Sequence, residues 1–252
     1  MSTSRRTAPV EVVERFHAAL EPMLIEAVAP SLLPSMLARA AASALGADGA
    51  GISVLSDRYR VPIGSSSATA ARAERLQFTV GDGPCLDAVA QLQPQRVDED
   101  QMRGEWPEFH DELCRHTPYR SIVALPIIVA EGVRGAMDIY LVSTTMPAYR
   151  TVTDAVAIGA AVSEMLGQVA ESGSMTARWS AGEIPDWLYG EQSRHRLRLW
   201  IAVGVLMAQL DLDSPAALDR LRAHAFATDF DIDMLADGLI DGTLTARDLE
   251  FG

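Results

Sequence analysis

The sequence predicts an α+β domain, an antiparallel sheet flanked by helices, followed by an all-α three-helix domain. Two observations carry this prediction. Between residues 50 and 142, β-rich runs and helical stretches follow one another without regular alternation, and two of the runs form a hairpin pattern. After residue 190 only helical periodicity remains. A chain of 252 residues is long enough for two such domains.

The first part of the chain begins with helices and then changes to the two-residue period of strands. Residues 10–29 are predicted to form a helix that Pro22 breaks or kinks, and residues 31–45 a second helix that Gly46 ends. The β-rich runs that follow predict strands at 50–56, 75–80 and 95–98, and the Ser/Ala-rich stretch 64–73 predicts a surface loop.

Two longer β-rich runs, 121–130 and 132–142, meet at Glu131 and Gly132. This junction predicts a tight hairpin. Because proline donates no hydrogen bond to a sheet, Pro126 inside the first run predicts an edge or a bulge at that point.

A long apolar helix is predicted at residues 153–170, where the α+β domain ends. It contains more Ala, Val, Ile and Met than one domain face needs, which predicts a homodimer. The next stretch contains Gly, Ser and Pro and predicts a connection, although Trp179, Trp187 and Tyr189 predict that part of it docks on a neighbouring surface. The predicted units are an N-terminal helical segment at 1–29, the α+β domain at 30–172, a linker at 173–190 and the helical domain at 191–252.

The helical domain begins with an apolar helix at about residues 191–210. Gly204 inside this helix costs about 1 kcal/mol relative to alanine, which predicts close approach of another helix. Ser214 caps the second helix, Pro215 takes its first position, and Asp231 caps the third. The predicted buried face of the first helix consists of Leu197, Ile201, Gly204, Val205 and Ala208.

Composition excludes several classes of protein. With 48% hydrophobic residues the chain buries a core and is not globally disordered. No stretch approaches the ~20 apolar residues of a membrane helix, and the N-terminus lacks a signal-peptide core, so we expect a cytoplasmic protein with no membrane partner. Two cysteines are too few for a disulfide framework. His110, Cys114 and His116 share a neighbourhood but lack a fourth ligand, so neither a metal nor another cofactor is predicted.

The charge of the chain opposes binding to nucleic acids. The net charge is −13, and all 21 basic residues are arginines. Residues 180–252 contain 6 arginines against 13 acidic residues. Because affinity for nucleic acids rests on neutralising phosphates, any RNA binding must use a local patch.

Residues 81–85 (GDGPC) carry the candidate site of the α+β domain. Gly81 and Gly83 permit positive φ and the next residue is proline, so the segment predicts a tight turn into a helix N-terminus, where exposed amides bind anions. A helix N-terminus lowers the pKa of a thiol, which makes Cys85 a candidate redox sensor with Cys114 as its resolving partner. Two alternatives stay open: the loop only turns the chain, and Cys85 is only a small buried side chain.

Three segments, 78–100, 106–113 and 120–143, together resemble a GAF domain of the subtype that precedes ANTAR modules in bacterial regulators. The resemblance covers roughly residues 30–170. It implies an antiparallel sheet between helices and a face that often forms a pocket, so we expect a small-molecule ligand of unknown identity. Some GAF proteins reduce free methionine sulfoxide with cysteines; a thiol-based reductase is therefore an alternative, although we expect no enzyme and assign no catalytic residue.

The C-terminal helices resemble the ANTAR domain, a three-helix module that binds RNA stem-loops and regulates transcription termination. The chain departs from this family at Val203, where a lysine is usual, and at residues 229–233, where the family tends to be basic and this chain has three aspartates. Both departures remove cations from expected RNA-facing positions. The motif residues that carry the resemblance are Ala202, Gly204, Met207, Ala225 and Ala236.

The candidate RNA-binding residues are Arg194, Arg196, Arg198, Arg222 and His224. They offer forked guanidinium groups to phosphates, unless they are ordinary solvated side chains paired with acidic neighbours. The leading hypothesis is a cytoplasmic, dimeric transcription antiterminator whose GAF domain senses a signal and whose ANTAR domain binds an RNA stem-loop. The alternative is a ligand-sensing or protein-interaction module whose RNA-binding surface has decayed.

Overall fold

The computed structural model describes residues 8–26, 30–56, 59–130, 133–172, 191–228 and 230–249. The helices in this part of the chain are α1 (Ala8–Glu26), α2 (Leu33–Leu45), α3 (Ala68–Val80), α4 (Pro84–Gln91), α5 (Glu99–Glu105), α6 (Pro107–His116), α7 (Tyr149–Ser172), α8 (Glu191–Leu210), α9 (Ser214–Thr228) and α10 (Ile232–Asp241). The strands are β1 (Gly49–Ser56), β2 (Tyr59–Ser65), β3 (Gln95–Val97), β4 (Ser121–Ala130) and β5 (Val133–Leu141). Two 3₁₀ helices, Pro30–Leu32 and Ala246–Leu249, accompany them.

The five strands form one antiparallel sheet in the order β2-β1-β5-β4-β3. Side chains alternate between its two faces. One face, which includes Ile52, Leu125 and Ile139, packs on α1, α2 and α7. The other face, which includes Ala136 and Tyr140, packs on α3, α4, α5 and α6. The predicted antiparallel sheet between helices is confirmed, and α1 packs within the same unit.

The predicted break of α1 is not seen, because the helix continues through Pro22 to Glu26. Strands β4 and β5 pair along most of their length, as the hairpin prediction requires, but its turn at 131–132 lies outside the described residues. Pro126 lies beyond the last residue of β4 that pairs with β3, and a register irregularity follows between Ile128 and Ala130. The prediction of an edge or a bulge near Pro126 is therefore confirmed.

The region 64–80 differs from the sequence prediction. The predicted surface loop at 64–73 and the predicted strand at 75–80 are wrong, because helix α3 occupies Ala68–Val80. The side chain of Ser67 caps this helix by accepting a hydrogen bond from the Ala70 amide at 3.1 Å. Residues 75–80 alternate between polar and apolar side chains as a strand does, which led to the wrong prediction. In the helix, the neighbouring residues Gln77 and Phe78 are both buried.

Helix α7 confirms the predicted apolar helix at 153–170. Its buried residues, Ala155, Ile158, Val162 and Leu166, recur at helical spacing and join the core beneath the sheet. Most of the apolar surface that suggested a homodimer is thus used within the domain, although Val156 is 44% exposed. The homodimer stays a prediction. The predicted docking of Trp179, Trp187 and Tyr189 lies outside the described residues.

Helices α8, α9 and α10 and the last 3₁₀ helix share one apolar core. The predicted buried face of α8 is wrong: Ile201 and Gly204 are exposed. The helix is rotated from the predicted orientation, because its buried residues are Leu199, Ala202, Val203 and Leu206, also spaced three and four apart.

The structure also corrects two single residues of α8. Nothing described lies within 4 Å of where a Cβ of Gly204 would stand, so the predicted close helix approach is wrong. Val203 is only 1% exposed, so it belongs to the core and not to an RNA-facing surface. Asp231 caps α10 as predicted, by accepting a hydrogen bond from the Asp233 amide at 2.8 Å.

In the described parts of the chain, no single helix has the length and apolar character needed to cross a membrane.

Candidate functional site

A group of polar side chains lies between α3, α4 and the second face of the sheet, closed off from solvent. Arg60 comes from β2, Glu74 from α3, and Asp138 and Tyr140 from β5. Gly51 of β1 pairs with Asp138, and a Cβ at Gly51 would overlap the Glu74 carboxylate, so glycine makes room for this carboxylate. We define the buried polar cluster as Arg60, Glu74, Gln77, Cys85, Asp138 and Tyr140.

Arg60 is the centre of the buried polar cluster. Its Nη2 donates to Glu74 Oε2 at 2.6 Å and to Asp138 Oδ2 at 3.1 Å, and its Nη1 donates to the Glu74 carbonyl at 2.8 Å. Tyr140 donates its hydroxyl hydrogen to Glu74 Oε1 at 2.6 Å. One cation therefore holds two carboxyl groups and connects β2 with α3 and β5.

Burial and the unequal number of charges shift the pKa values of this cluster. Burial raises the pKa of the Asp138 carboxyl well above its usual range; Glu74 adds to this shift and Arg60 opposes it. Burial alone would lower the pKa of Arg60, but the acidic groups around it, Cys85 and Glu74 foremost, raise it overall. Because two carboxyl groups face a single guanidinium, the cluster favours a proton on Asp138 beside a charged Arg60.

Several buried polar atoms here have no hydrogen-bond partner in the part of the chain that the structure describes. They are Arg60 Nε, Asp138 Oδ1, both amide atoms of Gln77, and Ser53 Oγ. Buried polar atoms in folded proteins are almost always hydrogen-bonded, to protein or to ordered water. Donors and acceptors are both present, so this region offers complementary groups to a small polar molecule or to ordered water.

The segment 81–85 adopts the predicted turn. Gly81 and Gly83 have φ angles of 79° and 144°, and α4 begins at the following proline. The Gly83 amide donates to Asp82 Oδ1 at 2.8 Å. A Cβ at Gly83 would lie 2.5 Å from Gln77 Nε2, so only glycine lets the loop pass over the Gln77 amide. The loop therefore closes one side of the buried polar cluster.

Cys85 is a free cysteine without solvent exposure. Burial raises the pKa of its thiol well above the usual range, and the nearby Arg60 guanidinium only partly offsets this. The predicted lowering of this pKa by the helix N-terminus is therefore not seen. The alternative of a small buried side chain is confirmed for Cys85.

The candidate RNA-binding residues do not form an open cationic patch where the structure describes them. Arg198 donates from Nε to Asp237 and from Nη2 to Asp241 Oδ1, the second contact at 3.2 Å. The side chains of Arg194 and Arg196 lie outside the described residues. His224 lies on α9 and is half-buried. Among the motif residues, Ala202, Ala225 and Ala236 are buried in the bundle core, whereas Gly204 and Met207 are exposed.

Arg222 joins the C-terminal helices to the α+β domain instead. Its Nε donates to the Phe78 carbonyl at 3.1 Å, and its guanidinium lies 5.1 Å from the centre of the Phe78 ring. Burial lowers the pKa of Arg222, while the Asp219 carboxylate, whose Oδ1 lies 3.6 Å from Arg222 Nη1, opposes this shift. The Phe78 side chain is 1% exposed and belongs to the core of the C-terminal helices. Since Gln77 precedes Phe78, the last turn of α3 connects the buried polar cluster with the C-terminal domain.

A groove of about 410 Å³ runs beside this contact, between α3 and α6 on one side and the C-terminal helices on the other. Phe226, which lines it, is 58% exposed. The two units therefore meet closely at Phe78 and Arg222 but leave neighbouring surface open to solvent.

A family model described as the GAF domain matches residues 30–168. The chain belongs to the GAF domain family, whose members are sensor and ligand-binding modules. The match ends within α7, before the C-terminal helices begin. No curated protein matches this chain.

Three solved structures are similar in fold. The GAF domain of a phosphoenolpyruvate-protein phosphotransferase (ptsP) from Coxiella burnetii is 13% identical, with a TM-score of 0.48 over 66% of this chain and 98% of that chain. The GAF domain of the Acinetobacter phosphoenolpyruvate-protein phosphotransferase is 12% identical, with a TM-score of 0.46 over 69% and 99% of the two chains. The bacteriophytochrome RpBphP3 from the photosynthetic bacterium R. palustris is 12% identical, with a TM-score of 0.41 over 86% and 47%. Family membership rests on the family model and not on these distant structures.

The sequence prediction missed the three charged residues of the buried polar cluster. Asp138 carried a usable signal, because apolar residues flank it on both sides in a β-rich run and a buried charge needs a partner. Arg60 and Glu74 carried none, since neither β2 nor α3 was predicted at their positions.

Proposed function

We propose that this protein is a ligand-responsive regulator whose GAF domain binds a small polar molecule at the buried polar cluster and thereby controls the C-terminal helices. One observation carries the proposal. Buried atoms of Arg60, Gln77 and Asp138 have no hydrogen-bond partner among the described residues, and Gln77 directly precedes Phe78, which packs in the core of the C-terminal helices. A ligand that engages Gln77 therefore acts one residue away from this anchor.

The charges of the cluster restrict the ligand. Arg60 is already matched by Glu74 and Asp138, so no unbalanced positive charge remains to attract a strong anion. Arg60 Nε and Gln77 Nε2 donate, while Gln77 Oε1 accepts. These groups suit a neutral or zwitterionic molecule with donors and acceptors close together.

The ligand site is tested by a thermal-shift panel of free amino acids, nucleosides and purine bases. We expect one compound class to raise the melting temperature of the wild-type protein and to lose this effect in Gln77→Leu, which keeps the side-chain volume but removes the amide. If no compound raises the melting temperature, or if the increase persists in Gln77→Leu, the buried polar cluster is not the ligand site.

The output that we propose is binding of an RNA stem-loop in transcription antitermination, in a cytoplasmic homodimer. The support for this output is the ANTAR resemblance of the C-terminal helices. Among the candidate arginines whose side chains the structure describes, Arg222 is bound to the Phe78 carbonyl and Arg198 to two aspartates, so neither is free to bind phosphates in the docked arrangement. The docked arrangement is therefore the inactive form in this proposal, and undocking exposes Arg222.

The RNA output is tested with Phe78→Ala, which removes the anchor without changing a cation. We expect wild-type protein to bind hairpin RNAs weakly and Phe78→Ala to bind more tightly, with an affinity that falls as salt rises. Phe226→Ala removes an equal volume from an exposed position and serves as the control. Absence of salt-sensitive binding by all three proteins contradicts the RNA output.

A second candidate function is a ligand-controlled protein-interaction module without RNA binding. The pairing of Arg198 with Asp237 and Asp241 favours it, because two carboxylates more than neutralise this cation. This candidate predicts ligand stabilisation that depends on Gln77 together with no binding of hairpin RNA by Phe78→Ala.

A further inference from the structure

Three side chains with metal-binding chemistry meet where α5 packs on α6, away from the buried polar cluster. Glu99 is the first residue of α5, and Asp98 fixes the start of this helix by accepting a hydrogen bond from the Gln101 amide at 2.8 Å. His110 and Cys114 are four residues apart on α6 and share one face of that helix. Two packed helices thus supply a carboxylate, an imidazole and a thiol.

The separations between the three ligand atoms match those around a tetrahedral ion. Cys114 Sγ lies 3.4 Å from His110 Nε2, and His110 Nε2 lies 3.6 Å from Glu99 Oε1. All three atoms lie within 4.8 Å of one another. Zinc bonds of about 2.0–2.3 Å at tetrahedral angles place neighbouring ligand atoms about 3.3–3.6 Å apart. Two of the three distances already have the length that a shared ion requires.

The histidine is oriented for metal binding by a second carboxylate. His110 Nδ1 lies 2.9 Å from Asp111 Oδ1, on the opposite side of the ring from Glu99 and Cys114. A proton on Nδ1 that is donated to Asp111 leaves the Nε2 lone pair directed at the other two ligands. Metal-binding histidines commonly have such a carboxylate partner, which fixes the tautomer and increases ligand basicity.

The charges around the cluster are compatible with a bound divalent ion. Arg103 Nη2 lies 3.4 Å and Arg120 Nε 4.0 Å from Glu99 Oε1, so guanidinium groups balance this carboxylate without metal. The Arg103 side chain is 52% exposed and rotates into solvent at little cost. A thiolate and a carboxylate then neutralise the two charges of the ion.

We propose that Glu99, His110 and Cys114 bind a zinc-type divalent ion, with a fourth position open to water or to an incoming donor. The combination of a thiolate, an imidazole and a carboxylate favours Zn²⁺ over harder ions such as Mg²⁺ and Ca²⁺, which prefer oxygen ligands alone. This site goes beyond the proposed ligand-responsive function and does not depend on it.

The test is a Co²⁺ titration of the full chain, followed by displacement with Zn²⁺. We expect one ion per chain, a sulfur-to-cobalt charge-transfer band in the near ultraviolet and the visible absorption of tetrahedral cobalt. Cys114→Ser removes the charge-transfer band. Glu99→Gln changes a partly exposed side chain and weakens binding by about tenfold or more. Arg103→Gln strengthens binding because a competing cation is removed.

Two matched controls separate this site from the rest of the chain. Cys85→Ala removes the other cysteine and keeps the charge-transfer band. His116→Gln changes another histidine of α6 that also faces a glutamate, with His116 Nε2 3.3 Å from Glu112 Oε2, and leaves the affinity unchanged. Absence of the cobalt bands in the wild-type protein, persistence of the charge-transfer band in Cys114→Ser, or unchanged affinity in Glu99→Gln overturns the proposal.

Discussion

Replacing Arg60 by methionine tests whether one buried cation holds the sensor domain together. Methionine is also long and unbranched but carries no charge, so this substitution removes all three hydrogen bonds that the Arg60 guanidinium donates to Glu74 and Asp138. Two carboxyl groups are then left facing each other without a cation, at positions with no solvent exposure. Removing one partner from a buried ion pair costs about 3–5 kcal/mol of the free energy of unfolding. We expect Arg60→Met to lose an amount in this range.

The loss also depends on pH in a defined direction. The pKa of Asp138 is already raised in the folded protein, so its contribution to stability is fully present below the unfolded pKa and is lost as pH rises through the folded pKa. Without Arg60, which opposes that shift, the folded pKa rises further. We therefore expect the deficit of Arg60→Met to be larger at about pH 8 than at about pH 5.

Urea denaturation followed by far-ultraviolet circular dichroism measures both effects. Arg198→Met is the matched control, because Arg198 also contacts two carboxylates but does so in solvent, where such pairs add little. Our interpretation of the buried polar cluster fails if Arg60→Met loses no more stability than Arg198→Met. It also fails if the deficit of Arg60→Met shrinks as pH rises.

Three further predictions concern single positions. Asp138→Asn removes a carboxyl whose pKa burial raises, so the decline of unfolding free energy with rising pH becomes shallower than in wild type; parallel pH profiles would contradict this. Gly51→Ala places a methyl group against the Glu74 carboxylate and lowers the free energy of unfolding by about 1–3 kcal/mol. Gly104→Ala, with nothing described within 4 Å of the new methyl group, raises it by up to about 1 kcal/mol. Equal melting temperatures of the two variants would show that the surroundings of Gly51 relax around the methyl group. Val203→Lys buries an ammonium group and unfolds the C-terminal helices, while Gly204→Lys, at an exposed position, keeps them folded; retained helical content in Val203→Lys would refute the buried position.

Sequence signals that act over a few neighbouring residues predict the structure correctly, whereas features set by distant residues do not show in the sequence. The GDGPC turn was predicted because glycine and proline restrict the backbone by themselves, and its two positive φ angles follow from that chemistry. Helix α3 was missed because its residues 75–80 resemble a strand when considered alone, while the burial of Glu74 and Gln77 becomes visible only against the sheet.

In the C-terminal helices, too, local features were predicted better than features that depend on packing. The number of these helices and the cap at Asp231 were predicted correctly from short-range signals. The predicted cap at Ser214 is wrong, because Ser214 is the first residue of α9 and Asp213 caps the helix by accepting a hydrogen bond from the Ala216 amide at 2.8 Å. The buried face of α8 was not predicted correctly either, because Ile201 and Val203 are both apolar and only the neighbouring helices decide which of them enters the core. The interpretation of Val203 as an RNA-facing position failed for this reason.

The sequence by itself determined the antiparallel α+β domain, the helical bundle after it and the GDGPC turn, because periodicity and turn chemistry act over a few residues. Only the tertiary structure brought Arg60, Glu74 and Asp138 together from three separate elements, and only the tertiary structure joined Arg222 to Phe78. Residues so far apart in sequence meet only when whole helices and strands pack together. Once they are buried, opposite charges must be paired, because water no longer solvates them.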